Sequence, residues 1–485
     1  MPASGDTSMS PPPETSASSD ASRRFIEHPL GPLFAQTALP IILVMGMNGL
    51  LTVVDALFLG IFVGADALSA VTLMFPAFML LVALSTLVSN GMSSLLARHL
   101  GARRTNDARV VFAAAHGLAM LVSIVLIVLF LMFGDRITLA AANGNQALAE
   151  MGYAYMRITI FCSPLLFVLA LQSDALRNEG RVGLMAAMSL LVSLANIGFN
   201  YVLIALMEWG VSGSAYGTAL AQCLALSIVL GFRSMGETDL RLRGPAWHPS
   251  AWGGVRKRWV EILTLGAPQS LSFLGLALGS GAIILALQLV QSDTYAETVS
   301  AYGIATRLMT FAFLPLLGLS FALQSITGNN YGAGLWHRSD GSLRLGLLLA
   351  LLYCLLAEIT LIVFARPIGG WFVDDPIVVD EVRRIMPMIV SMFFVAGPIL
   401  MIATYFQAIG DAGRAALLSL TKTYLFAIPL TFLLPAFLGE TGIWLAGPAA
   451  ELLLLLLTWV VLNITARQHG HAWGLFKTGS AGASV

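Results

Sequence analysis

The sequence predicts an all-α polytopic membrane protein, with twelve transmembrane helices in two six-helix lobes related by a parallel internal repeat. Three observations predict it: a charge-poor apolar composition, twelve apolar segments of membrane-spanning length, and matched residues at a nearly constant shift between the halves. Of 485 residues, 57% are hydrophobic and 11% are Asp, Glu, Lys or Arg, with 26 acids against 26 Lys and Arg, and the mean hydropathy is +0.83. A soluble domain is about 25% charged and about 45–50% apolar. One helical crossing takes about 20 apolar residues, so this chain has enough for roughly twelve spans and little else. The composition excludes a soluble enzyme, a nucleic-acid binder and a disordered scaffold, and zero net charge argues against a polyanionic partner.

The elements follow in order. The first 22 residues are rich in Ser, Pro and Ala and lack an apolar signal-peptide core, so residues 1–30 read as a disordered cytoplasmic tail. Apolar segments then run over 35–62, 68–97, 110–134, 154–177, 184–207 and 211–233, which make an N-terminal lobe over 31–233. A polar Arg-, Gly- and Pro-rich stretch, 234–261, reads as a cytoplasmic loop between lobes. Segments at 262–291, 298–327, 343–365, 384–409, 414–438 and 441–463 make a C-terminal lobe over 262–465, and 466–485 form a second cytoplasmic tail. Arg136, Arg157, Arg366, Arg383 and Arg384 fall in odd-numbered connections and Arg307 falls inside a span. The rest of the 26 basic residues, Arg177 and Lys422 among them, fall in even-numbered connections and tails. The positive-inside bias therefore puts both termini in the cytoplasm of a cell that carries the protein in its inner or plasma membrane.

The halves echo one another. Pro40 answers Pro268 at a shift of 228, Ser69-Ala70 answers Ser300-Ala301 at 231, and Gly101-Ala102 answers Gly332-Ala333 at 231. Gly180 answers Gly410 at 230, and Gly210 answers Gly442 at 232. Six spans per half give both repeats the same orientation, an architecture of secondary transporters, whose sites lie between or within the lobes.

Asp55 is the sharpest feature for function. A carboxylate well inside a span costs about 2.5–3.5 kcal/mol on insertion scales and marks a functional position by default. It lies eight residues, about 12 Å, before the outer end of span one. Asn200 in span five and Thr218 in span six come to a similar depth, and Asn196 is one helical turn from Asn200 on the same face. Oxygen ligands suit a hard cation, and a carboxylate in low dielectric suits a proton. Asn48, seven residues before Asp55, and Gln172 are candidates for the substrate cavity. Arg307, Glu358 and Glu451 in the C-terminal half read as a structural ion-pair group. Cys162, Cys223 and Cys354 form no disulfide framework, and the seven histidines show no metal-ligand spacing. No metal site, cofactor or enzymatic activity is expected.

Several runs resemble the MATE (multidrug and toxic compound extrusion) transporters of the MOP flippase superfamily. They are Leu39-Pro40 through Asn48 to Val54-Asp55-Ala56-Leu57-Phe58-Leu59-Gly60, Ser89-Asn90-Gly91 through Gly101-Ala102, and Gln324 through Gly328-Asn329-Asn330-Tyr331-Gly332-Ala333. Asn196 to Asn200 and Gly210-Val211 through Thr218 complete the set, and the likeness extends over roughly residues 30–465. The resemblance implies that Asp55, Asn196, Asn200 and Thr218 form a cation or proton site and that Pro40 is a conformational hinge. Many members have a second aspartate where this chain has Asn200, while NorM-like members have asparagine. The missing carboxylate favours H⁺ over Na⁺ as coupling ion. The expectation is a monomeric, cation-coupled antiporter that exports amphipathic or cationic organic compounds by alternating access, in contact with membrane lipids. A lipid-linked or polar-metabolite flippase or exporter of the same superfamily is the alternative.

Overall fold

The computed structural model describes residues 24–142, 144–235, 238–240, 254–290, 295–373, 375–470 and 472–476. The expected disordered tail up to residue 23, loop residues 241–253 and tail residues 477–485 lie outside the described residues. Those described are almost all helical; an isolated bridge between Ala472 and Phe476 is their one β contact.

Ten helices among them are long and apolar enough to cross a membrane, and two bent pairs raise the number to twelve. Span one is Leu30–Val63, span two Phe75–Gly101, span three Thr105–Ala141, and span four the pair Gln146–Phe161 and Ser163–Asn178. Val182–Leu206 and Gly210–Ser234 are spans five and six. The second half has Val255–Val290, Glu297–Gly332 and Trp336–Val363 as spans seven to nine. The pair Pro376–Val390 and Phe393–Ile409 is span ten, and Ala412–Leu438 and Glu440–Gln468 are spans eleven and twelve. The repeat reappears in the helix ends. Thr105 and Trp336 open spans three and nine 231 residues apart, and Gln146 and Pro376 open spans four and ten 230 apart.

The bends repeat as well, for different local reasons. Span four bends by 48° at Cys162, two residues before Pro164, whose ring nitrogen cannot donate to the preceding turn. Span ten bends by 42°, and there Met392 takes a left-handed conformation at φ 76°. That backbone is costly for a side chain larger than glycine. Glu358 of span nine accepts the Phe394 amide at 2.8 Å, occupying one of the donors that the break leaves without a helical partner.

Span two of the first half packs against spans seven and eight of the second, and the contacts obey the repeat. A Cβ on Gly101 would stand 1.9 Å from the Asn329 carbonyl oxygen, and one on Gly332 would stand 2.1 Å from that of Arg98. Residues 98 and 329, and 101 and 332, are each 231 apart, so the two contacts are exchanged by the pseudo-two-fold axis of the repeat. Ser93 and Gln324, also 231 apart, hydrogen-bond to one another at 3.3 Å on that axis. Arg177 donates to Ser93 at 2.9 Å and to Ser325 at 3.2 Å, and Gln324 donates to Asn90 at 2.5 Å. Residues 88–97 of span two are all buried here, whereas Phe75, Pro76 and Leu80 toward its other end are exposed. The halves are sealed at the end of the bundle where spans two and eight close on one another. On the outside, Ile124, Val125, Val128, Leu131 and Met132 of span three present an apolar face that suits lipid.

Four expectations need correction. Residues 24–27 form a helical turn, with Phe25 buried and its carbonyl accepting from Asn330 at 3.0 Å, so order begins before residue 30. Span seven begins at Val255, inside the expected loop, and Trp259 donates to the Ala114 carbonyl at 2.9 Å. Arg177 is not a loop residue but a buried member of the seal between the halves. Lys422 lies ten residues inside span eleven, about 15 Å along the helix, because the polar run Thr421-Lys422-Thr423 continues the span.

Candidate cation-binding site

Spans one, five and six each bring one part of a polar cluster into the interior of the first half. Span one turns Asp55 toward span five, where the Asn200 amide donates to Asp55 Oδ1 at 2.7 Å and to Asn196 Oδ1 at 3.0 Å. Asn196 and Asn200 are four residues apart, so helical geometry stacks their side chains. Asn196 in turn donates to Thr218 Oγ1 of span six at 2.8 Å, and the Thr218 hydroxyl donates to the Ser214 carbonyl at 3.1 Å. The four residues expected to meet are thus joined in one chain of hydrogen bonds. Both asparagines are fully buried, while Asp55 and Thr218 are half-buried.

The local backbone explains the fit. A π-helical stretch, Leu59–Val63, begins four residues after Asp55, and another, Tyr201–Leu206, begins right after Asn200. Such wide turns re-aim side chains and recur at functional positions. Across from Asn200 stands Gly217, where a Cβ would come within 2.1 Å of Asn200 Oδ1. A side chain at position 217 would push the Asn200 amide from its place beside Asp55. Asn200 Oδ1 is buried and has no hydrogen-bond partner, and among the described residues no Lys or Arg pairs with Asp55. An acceptor left over beside an uncompensated carboxylate is an arrangement that a small cation or a proton can complete.

The other expected positions divide. Asn48 is exposed and stands outside the hydrogen-bonded cluster. Pro40 lies within the continuous helix Leu30–Phe58. Gln172 does not face a cavity: it is fully buried, donates to His116 Nε2 at 3.0 Å and accepts from Arg233 at 2.5 Å. Arg233 is also paired with Glu179 at 3.1 Å, so Gln172 belongs to a buried polar network inside the first half. Arg307, Glu358 and Glu451 do not come together. Glu451 pairs with Lys422, Glu358 caps the break in span ten, and Arg307 is exposed on span eight with no ion pair among the described residues. The base that pairs in the second half is Lys422 and not the expected Arg307.

Reading single residues also missed the seal around Ser93, Arg177 and Gln324. A signal existed: Ser93 and Gln324 are polar residues within apolar runs, separated by the repeat shift of 231. Gly217 gave no signal, because its role depends on how spans five and six are rotated.

Two matched six-span halves, sealed at one end and enclosing a buried polar cluster, define a membrane carrier and not an enzyme. The MatE family model matches residues 40–202 and 277–433, and the chain belongs to the MATE family of transporters. It is 23% identical over 433 residues to "Probable multidrug resistance protein YoeA" of Bacillus subtilis (strain 168), covering 86% of this chain and 90% of that protein. It is 24% identical over 436 residues to a protein of Shewanella oneidensis named "FAD transporter", covering 88% of this chain and 93% of the other. The fold superposes with a TM-score of 0.82 on the outward-facing conformation of a multidrug resistance MATE family transporter of the MOP superfamily, at 20% identity, covering 94% of this chain and 100% of that one.

Proposed function

We propose that the protein is a cation-coupled antiporter that exports amphipathic or cationic organic compounds from the cell. The observation that carries this reading is Asp55, a carboxylate inside a span, held by Asn200 and lacking a basic partner among the described residues. A group so placed changes its interactions strongly when it gains a proton or a cation. Binding at Asp55 and binding of substrate then favour opposite conformations, each by its differential affinity for the two states. The proton is the favoured ion because the cluster holds one carboxylate. A Na⁺ ion would draw its remaining ligands from neutral amide and hydroxyl oxygens. The names of relatives such as YoeA support drug export. The positive-inside count supports placing both termini, and with them the sealed end, on the cytoplasmic side.

The test is reconstitution into liposomes and measurement of dye flux under an imposed pH gradient or an imposed Na⁺ gradient. Flux driven by the pH gradient alone and abolished by Asp55→Asn in a folded variant is the expected result. Flux driven only by Na⁺ would replace the ion, and undiminished flux in the variant would remove Asp55 from the mechanism. Absence of dye flux in the wild type under either gradient would favour the flippase or polar-metabolite reading.

A further inference from the structure

Arg307 lies ten residues, about 15 Å, into span eight from Glu297, in an apolar stretch of the helix. Arg307, Phe311, Leu314 and Gly318 recur at intervals of four, three and four residues, so they form one stripe on that helix. The stripe faces span one of the other half. A Cβ on Gly318 would stand 2.6 Å from Ile42, and a Cβ on Gly49 would stand 3.1 Å from Leu314 and 3.5 Å from Phe311. Contact therefore advances along span one as it recedes along span eight, and the helices run antiparallel. One turn past Phe311, the same progression sets Arg307 level with residues 52–56 of span one. There Thr52, Val53 and Arg307 are all exposed, so at this level the two helices no longer cover one another.

Arg307 thus stands uncovered beside the contact between the two halves, level with Asp55 along span one. Asp55 is not its counter-ion, because that carboxylate turns away from the seam and accepts from Asn200 inside the first half. Among the described residues Arg307 has no hydrogen bond, ion pair or ring contact. A guanidinium at this depth is expensive and calls for a negative partner. Its planar fork matches a carboxylate or a phosphate with two parallel hydrogen bonds. Phe311, 47% exposed on the same stripe, offers an aromatic face one turn away.

We propose that Arg307 is an anion subsite in the transport pathway, and that the natural cargo is an amphipathic compound bearing a carboxylate or phosphate, with its apolar part against Phe311. This deepens the exporter reading and rests on it. A cation-only multidrug carrier has no use for an unpaired guanidinium on its cargo path, whereas a carrier of zwitterions or organic anions does.

Rhodamine 110 and rhodamine 123 test this, because they share one fluorophore and differ by a free carboxylate against its methyl ester. Binding of each dye to the purified full-length protein in detergent is read by fluorescence polarisation, without any gradient, for wild type, Arg307→Lys and Arg307→Gln. The expected result is tighter binding of the acid by wild type, a loss of at least tenfold in Arg307→Gln, a smaller loss in Arg307→Lys, and unchanged binding of the ester throughout. Equal weakening for both dyes would make Arg307 structural, and no preference for the acid in wild type would overturn the proposal. The preference should persist in phosphatidylcholine nanodiscs; its disappearance there would assign the guanidinium to lipid phosphate. If the acid preference holds but no gradient drives flux, coupling at Asp55 fails and the subsite stands.

Discussion

At the scale of single residues, the account turns on how little room surrounds Asn200. Its amide nitrogen serves Asp55 and Asn196 together, and its oxygen faces Gly217 with no space for a methyl group. Gly217→Ala is therefore expected to push the Asn200 side chain off Asp55. The obstructing atom is the end of a movable side chain, so the stability cost is about 1–3 kcal/mol, the range of a mild overpacking. Flux should fall much further, at least tenfold, and the two effects separate by comparing thermal unfolding with transport in liposomes. An equal fall of both would mean that Gly217 serves packing alone. The depth of Asp55, Asn200 and Thr218 was legible in the sequence because each residue of helix adds a fixed rise, so counting from span ends suffices. Their hydrogen-bond order was not, since it depends on helix rotation. Gln172 shows the same limit: its place in an apolar run suggested a cavity, and its partners come from span three and from Arg233 at the end of span six.

At the scale of elements, the breaks in spans four and ten mark where each half gives up regular hydrogen bonding. The pairing of these two breaks across the repeat follows from the sequence shift, but the cap supplied by Glu358 could not be read from it. Glu358 is on a different span, and its contact with Phe394 exists only because span nine packs against the bend. A carboxylate on exposed helix-start amides stabilises through hydrogen bonding and through the local positive end of the helix dipole. Glu358→Ala is expected to cost about 1–2 kcal/mol, seen as a lowered melting temperature of the purified protein. Glu358→Gln keeps an acceptor and should lose less, with flux preserved. A Gln variant that is stable yet inactive would instead place Glu358 in the transport chemistry. In span eleven the charge count sets Lys422 with the connections although it falls inside the segment 414–438, and its pair with Glu451 holds it there.

At the scale of the whole molecule, the repeat prescribes the seal. Reciprocal contacts at Gly101 and Gly332, and the axial pair Ser93 and Gln324, close one end through backbone approach and satisfied polar groups. Packed seams of this kind switch between discrete arrangements instead of deforming gradually. Gly101→Ala places a methyl group 1.9 Å from the Asn329 carbonyl oxygen, so it should prise the sealed end apart. The expected readout is faster labelling of a cysteine introduced at Ser93 by a water-soluble maleimide, with reduced flux; unaltered labelling would show that the seam accommodates the change. The twelve-span count and the two-half architecture were legible because hydrophobic length and repeat shift are properties of the chain itself. Which surfaces the halves share was legible only in part, through polar residues separated by the repeat distance. The central claim is that Asp55 exchanges its ion against substrate, and linkage makes that directly measurable. Adding a transported dye to purified protein in weakly buffered solution should release protons from wild type and none from Asp55→Asn, although both bind dye. Equal proton release from the variant, or dye binding by wild type with no proton release at all, would contradict the account.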